Sequence, residues 1–168
     1  MCRYDAIWND DADMTDIWFY HLQRLPLESA LPKLLELSLA RDWTVVVQAT
    51  SAARLDALDE LLWSYSADSF LPHGSIKDGD PETQPIFLTL GPDNPNSADV
   101  RFFVENAELS PVLADPASAP TQRAILMFDG NDAAAVQAAR EQWRRLKSDG
   151  HTLSYWRQSE DGKWEKQA

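Results

Sequence analysis

The stretch LDALDELLWSYSADSFLPH, residues 55–73, carries large aromatic side chains out of a helix and into a loop. Its first part has apolar residues at positions i, i+3 and i+7, namely Leu55, Leu58 and Leu62. This spacing predicts a short amphipathic helix that packs on a sheet and ends near Trp63. Pro72 prevents further helical backbone, so Phe70 is presented from a loop. There Phe70 either fills the core or contacts a partner, whereas core packing is the simpler interpretation for Trp63.

The sequence before this stretch predicts a β-α-β unit. The first strand is DIWFYHL, Asp16–Leu22, and the second is WTVVVQA, Trp43–Ala49. Both are dense in aromatic and β-branched residues, which is typical of strands covered on both faces. Leucines at helical spacing fill Leu27–Arg41 between them. A connection of helix length predicts that the two strands run parallel and pair.

The sequence after this stretch adds further strands and a long helix. Residues 72–85 predict a loop, and the later predicted elements are strands at Ile86–Leu90, Asp99–Asn106 and Arg123–Phe128, a helix at Asp132–Ser148 and a hairpin over Thr152–Lys166. The strands at 86–90 and 99–106 either pair with each other or are neighbours at different levels of the sheet. The predicted fold is a single-domain, doubly wound, Rossmann-like α/β sheet. It is mostly parallel, with helices on both faces and a C-terminal hairpin.

Length and composition restrict the classes of function. The chain has 168 residues, a formal charge of −12 and one cysteine, Cys2. The length suits one domain, and the charge argues against wrapping nucleic acid with the whole surface. We expect no disulfide framework, no membrane span and no signal peptide, which fits a cytoplasmic protein. Residues 1–13 are acidic and aperiodic, so we expect a disordered extension before a domain over 14–168.

The sequence lacks the motifs that nucleotide-binding and hydrolytic enzymes use. No glycine follows the first strand in HLQRLPLES, so a phosphate-binding loop cannot form there. A GxSxG elbow and an HExxH motif are also missing. Asp56 with Asp59 or Glu60 could be imagined as a catalytic acid and base, but the simpler interpretation is that these carboxylates form the solvent-exposed face of the helix. We therefore expect a non-enzyme without cofactor or metal.

The helix at 132–148 carries basic residues on an otherwise acidic protein. At about 100° per residue, an apolar arc holds Val136, Ala139, Trp143 and Leu146. Arg140, Arg144 and Lys147 occupy the adjacent arc. The simplest interpretation is a solubilising face whose long side chains cover apolar neighbours. The alternative is a local site for an anionic partner.

Several blocks of this sequence resemble the chi subunit of bacterial DNA polymerase III, an accessory subunit of the clamp loader. These blocks are FYHL, VVVQA, LDELLW, SFLPH and AREQWRRLKSDGH, in that order. The resemblance implies a non-catalytic adaptor between the clamp loader and the acidic, phenylalanine-ended C-terminal tail of single-stranded-DNA-binding protein. By motif it places Phe70, Arg140, Trp143 and Arg144 at the tail site, with Lys147 beside them. It also implies contacts with clamp-loader subunits, with psi as a candidate, and a mainly indirect contact with nucleic acid.

Two other functions compete with the adaptor. Direct binding of single-stranded nucleic acid would use the aromatic and basic residues that lie close together in the sequence, namely Trp143, Tyr155, Trp156, Trp164, Arg144, Arg145 and Arg157. The net charge counts against it. A nucleotide-binding enzyme is the third possibility, and the missing glycine-rich loop counts against that.

Overall fold

The structure is a computed structural model that describes residues 16–23, 25–64, 71–158 and 164–167. Its helices are α1 Leu27–Ala40, α2 Ala52–Ser64, α3 Ser110–Leu113 and α4 Ala133–Ser148. Its strands are β1 Asp16–Leu22, β2 Val45–Gln48, β3 His73–Ser75, β4 Ile86–Thr89, β5 Val100–Phe103, β6 Arg123–Asp129, β7 Leu153–Gln158 and β8 Trp164–Lys166. Within these ranges, no helix is long and apolar enough to cross a membrane.

The described strands form one sheet in the order β3-β4-β2-β5-β6-β1-β7-β8. All neighbouring pairs are parallel except β7 and β8, which are antiparallel. This confirms the predicted doubly wound, mostly parallel sheet with a C-terminal hairpin. The prediction that the first two strands pair is wrong, because β5 and β6 lie between β1 and β2. α1 has 14 residues and is about 21 Å long, enough to cross strands about 4.8 Å apart.

Side chains of each strand alternate between two hydrophobic cores. On one face, Trp18 and Tyr20 of β1 pack with leucines of α1 and α2. On the other face, Ile17 and Phe19 pack with α3 and α4. A strand covered on both faces is mostly apolar, which explains the long hydrophobic run of β1.

The β4-β2-β5 part of the second face is covered by a loop, residues 91–98, instead of a helix. Ala98 packs there against Val46 and Phe87. The guanidinium of the fully buried Arg101 donates hydrogen bonds to the backbone carbonyls of Gly91 and Asp93, each at 2.7 Å. Burial lowers the pKa of Arg101 to about 10, so the side chain is still charged at neutral pH. A buried cation therefore anchors the loop to the sheet.

The C-terminal hairpin completes the first core with aromatic rings. Trp164 of β8 stacks on Tyr20 with ring centroids 4.5 Å apart. Trp156 of β7 lies 5.0 Å from the ring of Trp18. The turn predicted at residues 161–162 lies outside the described residues.

The stretch at 55–73 folds as predicted over its helical part. Leu58 and Leu62 are buried, whereas Trp63 is 61% exposed. Its ring contacts that of the buried His73 edge to face, with centroids 5.0 Å apart. The segment predicted as a loop contains the short strand β3 and two 3-10 turns, Ile76–Asp78 and Pro81–Thr83. Three residues are too few for a strand pattern to be visible in the sequence.

Candidate partner-binding site

The basic helix α4 begins at a side-chain cap. The carboxylate of Asp132 accepts hydrogen bonds from the backbone amides of Ala134 and Ala135, at 3.0 and 3.4 Å. This satisfies two of the amides that a helix leaves free at its start. At the other end Arg145 and Lys147 lie in the last turn, where cations favour the helix dipole. Both ends of α4 are therefore well defined.

Buried contacts fix how α4 rotates on the sheet. Ala139 and Leu146 are buried in the second core. Between them, the buried Gln142 side chain accepts from the amide of Leu109 at 2.9 Å and donates to the carbonyl of Ala107 at 3.0 Å. The predicted apolar arc is thereby turned toward the sheet. The next arc, with Arg140, Arg144 and Lys147, is exposed as predicted.

Between α4 and β7 lies an open groove of about 410 Å³ with aromatic walls. Trp143 and Tyr155 form these walls, and Val136 and Ala139 contribute the rest of the apolar surface. The rings of Trp143 and Tyr155 meet at 78° with centroids 5.7 Å apart. Trp143 also contacts the buried ring of Phe19 edge to face, at 5.2 Å. Both rings are thus packed partly against the core and partly exposed to solvent.

Cationic side chains border this groove. Arg140 and Arg144 line it and are exposed. In the described ranges no carboxylate lies within ion-pair distance of either one. Arg157 lies two residues beyond Tyr155 on β7, and its Nε donates to Oε1 of Gln23 at 3.1 Å. The arginines are therefore available to carboxylates of a ligand.

A partly buried hydrogen bond lies behind the aromatic wall. Nδ1 of His21 is 2.5 Å from the hydroxyl of Tyr155, and His21 is only 8% exposed. Burial lowers the pKa of His21, and the positive charges of Arg157 and Arg140 lower it further against the opposing effect of Asp129. Burial raises the pKa of Tyr155, which the same arginines oppose. The strand β1 therefore holds the Tyr155 ring in place with a neutral imidazole.

A family model described as the DNA polymerase III chi subunit matches residues 14–154. The chain belongs to the chi subunit family of DNA polymerase III. A similar relative is the probable DNA polymerase III subunit chi of Rickettsia prowazekii (strain Madrid E), 30% identical over 100 residues. That match covers 60% of this chain and 61% of the relative. Membership connects the chain with DNA replication.

The structure describes four of the five residues predicted for the tail site of this chi-family chain. Arg140, Trp143 and Arg144 come together in the α4 groove, whereas Lys147 does not line it. Phe70 lies outside the described residues. Leu71, which follows it, is buried in the first core, on the face opposite Trp143. The three α4 residues therefore share one groove, and the role of every predicted residue in binding the tail stays a prediction.

The sequence analysis did not place Tyr155 and His21 with the α4 residues, although Tyr155 lines the groove and His21 contacts it. The sequence placed Tyr155 in the alternative nucleic-acid site, and no local pattern pointed to His21. Alternation along β7 offered a usable signal, because Leu153, Tyr155 and Arg157 share the face that α4 covers. The contact between positions 21 and 155 is long-range and depends on the pairing of β1 with β7.

The part of the chain that the structure describes contains no cluster of metal-binding side chains. There, no three His, Cys, Asp or Glu side chains are grouped so that they could hold an ion.

The carboxyl ends of β1 and β6 border a crevice of about 450 Å³, the usual ligand position in doubly wound folds. Its charged lining is mostly acidic, with Glu28, Glu105 and Asp129 around Arg54, and Arg54 is 3.1 Å from Glu28. Such a lining repels phosphate.

Proposed function

We propose that this chain is a non-catalytic adaptor of the polymerase III holoenzyme that links the clamp loader to single-stranded-DNA-binding protein. The acidic C-terminal tail of that protein would bind in the α4 groove. One observation carries the proposal: aromatic walls border one groove together with exposed arginines that have no ion-pair partner among the described residues, on a chain of formal charge −12. Clamp-loader subunits, with psi as a candidate, would bind elsewhere on the chain.

The groove suits an acidic peptide that ends in an aromatic residue. A guanidinium binds a carboxylate through two parallel hydrogen bonds, which applies to an acidic side chain and to a C-terminus. Arg140 and Arg144 supply such groups at the border of the groove. Trp143 and Tyr155 offer ring faces and edges to a terminal phenylalanine, and aromatic contacts of this kind dominate many interfaces. The rest of the acidic surface repels the tail and so directs it to this groove.

Direct binding of single-stranded nucleic acid is the second candidate. Trp143 and Tyr155 with Arg144 and Arg157 would supply ring and charge for one stacked base. The other two aromatics of that hypothesis are occupied, since Trp156 is buried and Trp164 stacks on Tyr20. A strand-binding surface needs successive stacking platforms, so this candidate has weaker support than the acidic tail.

Fluorescence anisotropy with a labelled acidic peptide ending in Asp-Ile-Pro-Phe tests the proposal. We expect saturable binding that weakens as salt rises and that an excess of oligo-dT does not displace. The same peptide without its terminal phenylalanine should bind much more weakly. If the complete peptide does not bind, the tail site is contradicted. If oligo-dT displaces the bound peptide while it occupies little of the protein, the result favours direct binding of nucleic acid.

A further inference from the structure

A second groove lies at the β3 edge of the sheet, opposite the side where α4 packs on β1 and β7. It has a volume of about 280 Å³ and lies between α2 and the ends of β3 and β4. Leu55 and Leu88 line it, with Leu88 only 1% exposed. Ile76 and Leu90 also line it and are 74% and 45% exposed. Single exposed apolar residues are ordinary on a surface, but here they share one concave site.

Hydrogen bonds fix the backbone at Ile76 and next to Leu90, the two exposed apolar residues of this groove. Ile76 begins a 3-10 turn in which the amide of Ser75 donates to the carboxylate of Asp78 at 2.8 Å. Leu90 precedes the loop whose carbonyls accept from the buried Arg101, at Gly91 and Asp93. A partner that binds here therefore has little backbone to order, which favours association.

The charges around this groove are mainly negative. Asp56 and Asp93 line it, and Lys77 is the basic residue of its lining. Lys77 lies 3.8 Å from Asp56, and both side chains are largely exposed, so this pair is weak and readily exchanged. The exposed residues Asp80 and Glu82 follow in the next turn. An apolar centre with an acidic border attracts a partner of the opposite charge.

We propose that this groove docks a basic segment of a protein partner. Aliphatic or aromatic side chains of the segment would fill the space between Ile76 and Leu90, and its lysines or arginines would face Asp56 and Asp93. A second copy of this chain would bring the same acidic border, and like charges oppose that pairing. The two grooves of the chain have opposite charge, so they select different ligands.

Selection from a library of short random peptides tests this site. We expect the wild-type protein to enrich peptides with aliphatic or aromatic residues flanked by lysine or arginine. In anisotropy titrations with an enriched peptide, Ile76→Lys and Leu90→Lys should each weaken binding at least tenfold. Thr83→Lys adds the same charge to the acidic loop but does not line the groove. This control should stay within twofold of the wild type.

Three results would overturn the proposal. The first is that the wild type enriches no peptides that combine basic and apolar residues. The second is that the enriched peptides bind Ile76→Lys and Leu90→Lys as tightly as the wild type. The third is that sedimentation velocity shows a wild-type dimer that Ile76→Lys dissociates. In the last case a second copy occupies the groove. Acidic peptides held by the α4 groove should lose binding in Arg140→Glu and keep it in Ile76→Lys. Failure of one groove is therefore distinguishable from failure of the other.

Discussion

The rings of Trp143 and Tyr155 meet edge to face in the groove between α4 and β7, with centroids 5.7 Å apart and planes at 78°. One residue comes from the helix and the other from a strand, so the groove exists only when α4 is docked on the sheet. The hydrogen bond between the hydroxyl of Tyr155 and Nδ1 of His21 joins the strand side of this wall to the core. The surface of the groove is therefore an extension of the second hydrophobic core.

Trp143→Ala should weaken binding of the acidic peptide by about 2 kcal/mol or more, because it removes one aromatic wall. Binding should keep the salt dependence of the wild type, since no charge changes. Deleting the terminal phenylalanine of the peptide should have little further effect in this variant, as expected when two groups share one contact. Anisotropy titrations of both peptides against both proteins measure the coupling. Fully additive losses would show that the ring binds elsewhere.

Arg140→Glu and Arg144→Glu should each weaken peptide binding on the order of tenfold, since each removes an attraction and adds a repulsion at the border of the groove. Raising the ionic strength should weaken the wild type strongly and these variants much less. Arg145→Glu is the matched control, because it is exposed on the same helix but does not line the groove. An equal loss in all three variants would indicate a general charge effect instead of a site.

The sequence alone was sufficient for the fold class and for most elements of the sheet. The first strand was predicted with its observed bounds, Asp16–Leu22. Hydrophobic runs locate strands because burial on both faces leaves few polar positions. The order of the strands was not available from such runs, since a helix of 14 residues can connect neighbours or cross two strands, as α1 does.

Two buried arginines show where residue type misleads. The strands VRFF and RAILMFD contain Arg101 and Arg123, which are 0% and 1% exposed. Charged residues are almost never fully buried without partners, and these partners come from distant segments. The guanidinium of Arg123 lies 3.8 Å from the ring centroid of Trp18. Such contacts follow from the tertiary fold, so no local pattern could predict them.

For the candidate site, the sequence predicted the helix residues and missed their surroundings. The 3.6-residue period placed Trp143 beside Arg140 and Arg144, which the structure confirms. Tyr155 and His21 complete the wall through strand pairing, and this lies beyond the reach of helical periodicity. Trp63 shows the opposite case, since its large ring suggested core packing and it is mostly exposed.

A panel of ATP, GTP, NAD and NADP should leave the melting temperature unchanged. The carboxylate of Asp132 already accepts the first amides of α4, so a phosphate there meets a negative charge instead of free donors. A ligand at 100 times its dissociation constant would stabilise the protein by about 2.7 kcal/mol, or roughly 5–11 °C at this chain length. Differential scanning fluorimetry would detect such a shift, and a reproducible one would restore the enzyme hypothesis.

The buried His21 should make the protein less stable at acid pH. Its folded pKa lies below the ordinary value near 6.5, so the unfolded chain binds this proton more readily. The contribution is fully present above pH 6.5 and is lost as the pH falls through the folded value. His21→Phe should therefore lose less stability than the wild type between pH 7.5 and pH 5. Urea denaturation at both pH values measures the difference, and identical losses would contradict the role of His21.

Removing the buried guanidinium of Arg101 should destabilise the fold strongly. Arg101→Met leaves the carbonyls of Gly91 and Asp93 and the side chain of Gln48 without their donors, which should cost about 3–5 kcal/mol of unfolding free energy. Arg54→Met is the matched control, since the ion pair of Arg54 with Glu28 is partly exposed and should contribute below about 1 kcal/mol. Urea denaturation of both variants measures the two values. Because the same guanidinium fixes the turn after Leu90, Arg101→Met should also weaken peptide binding at the second groove, between α2 and the ends of β3 and β4, while leaving the α4 groove unchanged. Equal losses of stability in the two variants would show that Arg101 does not anchor the loop.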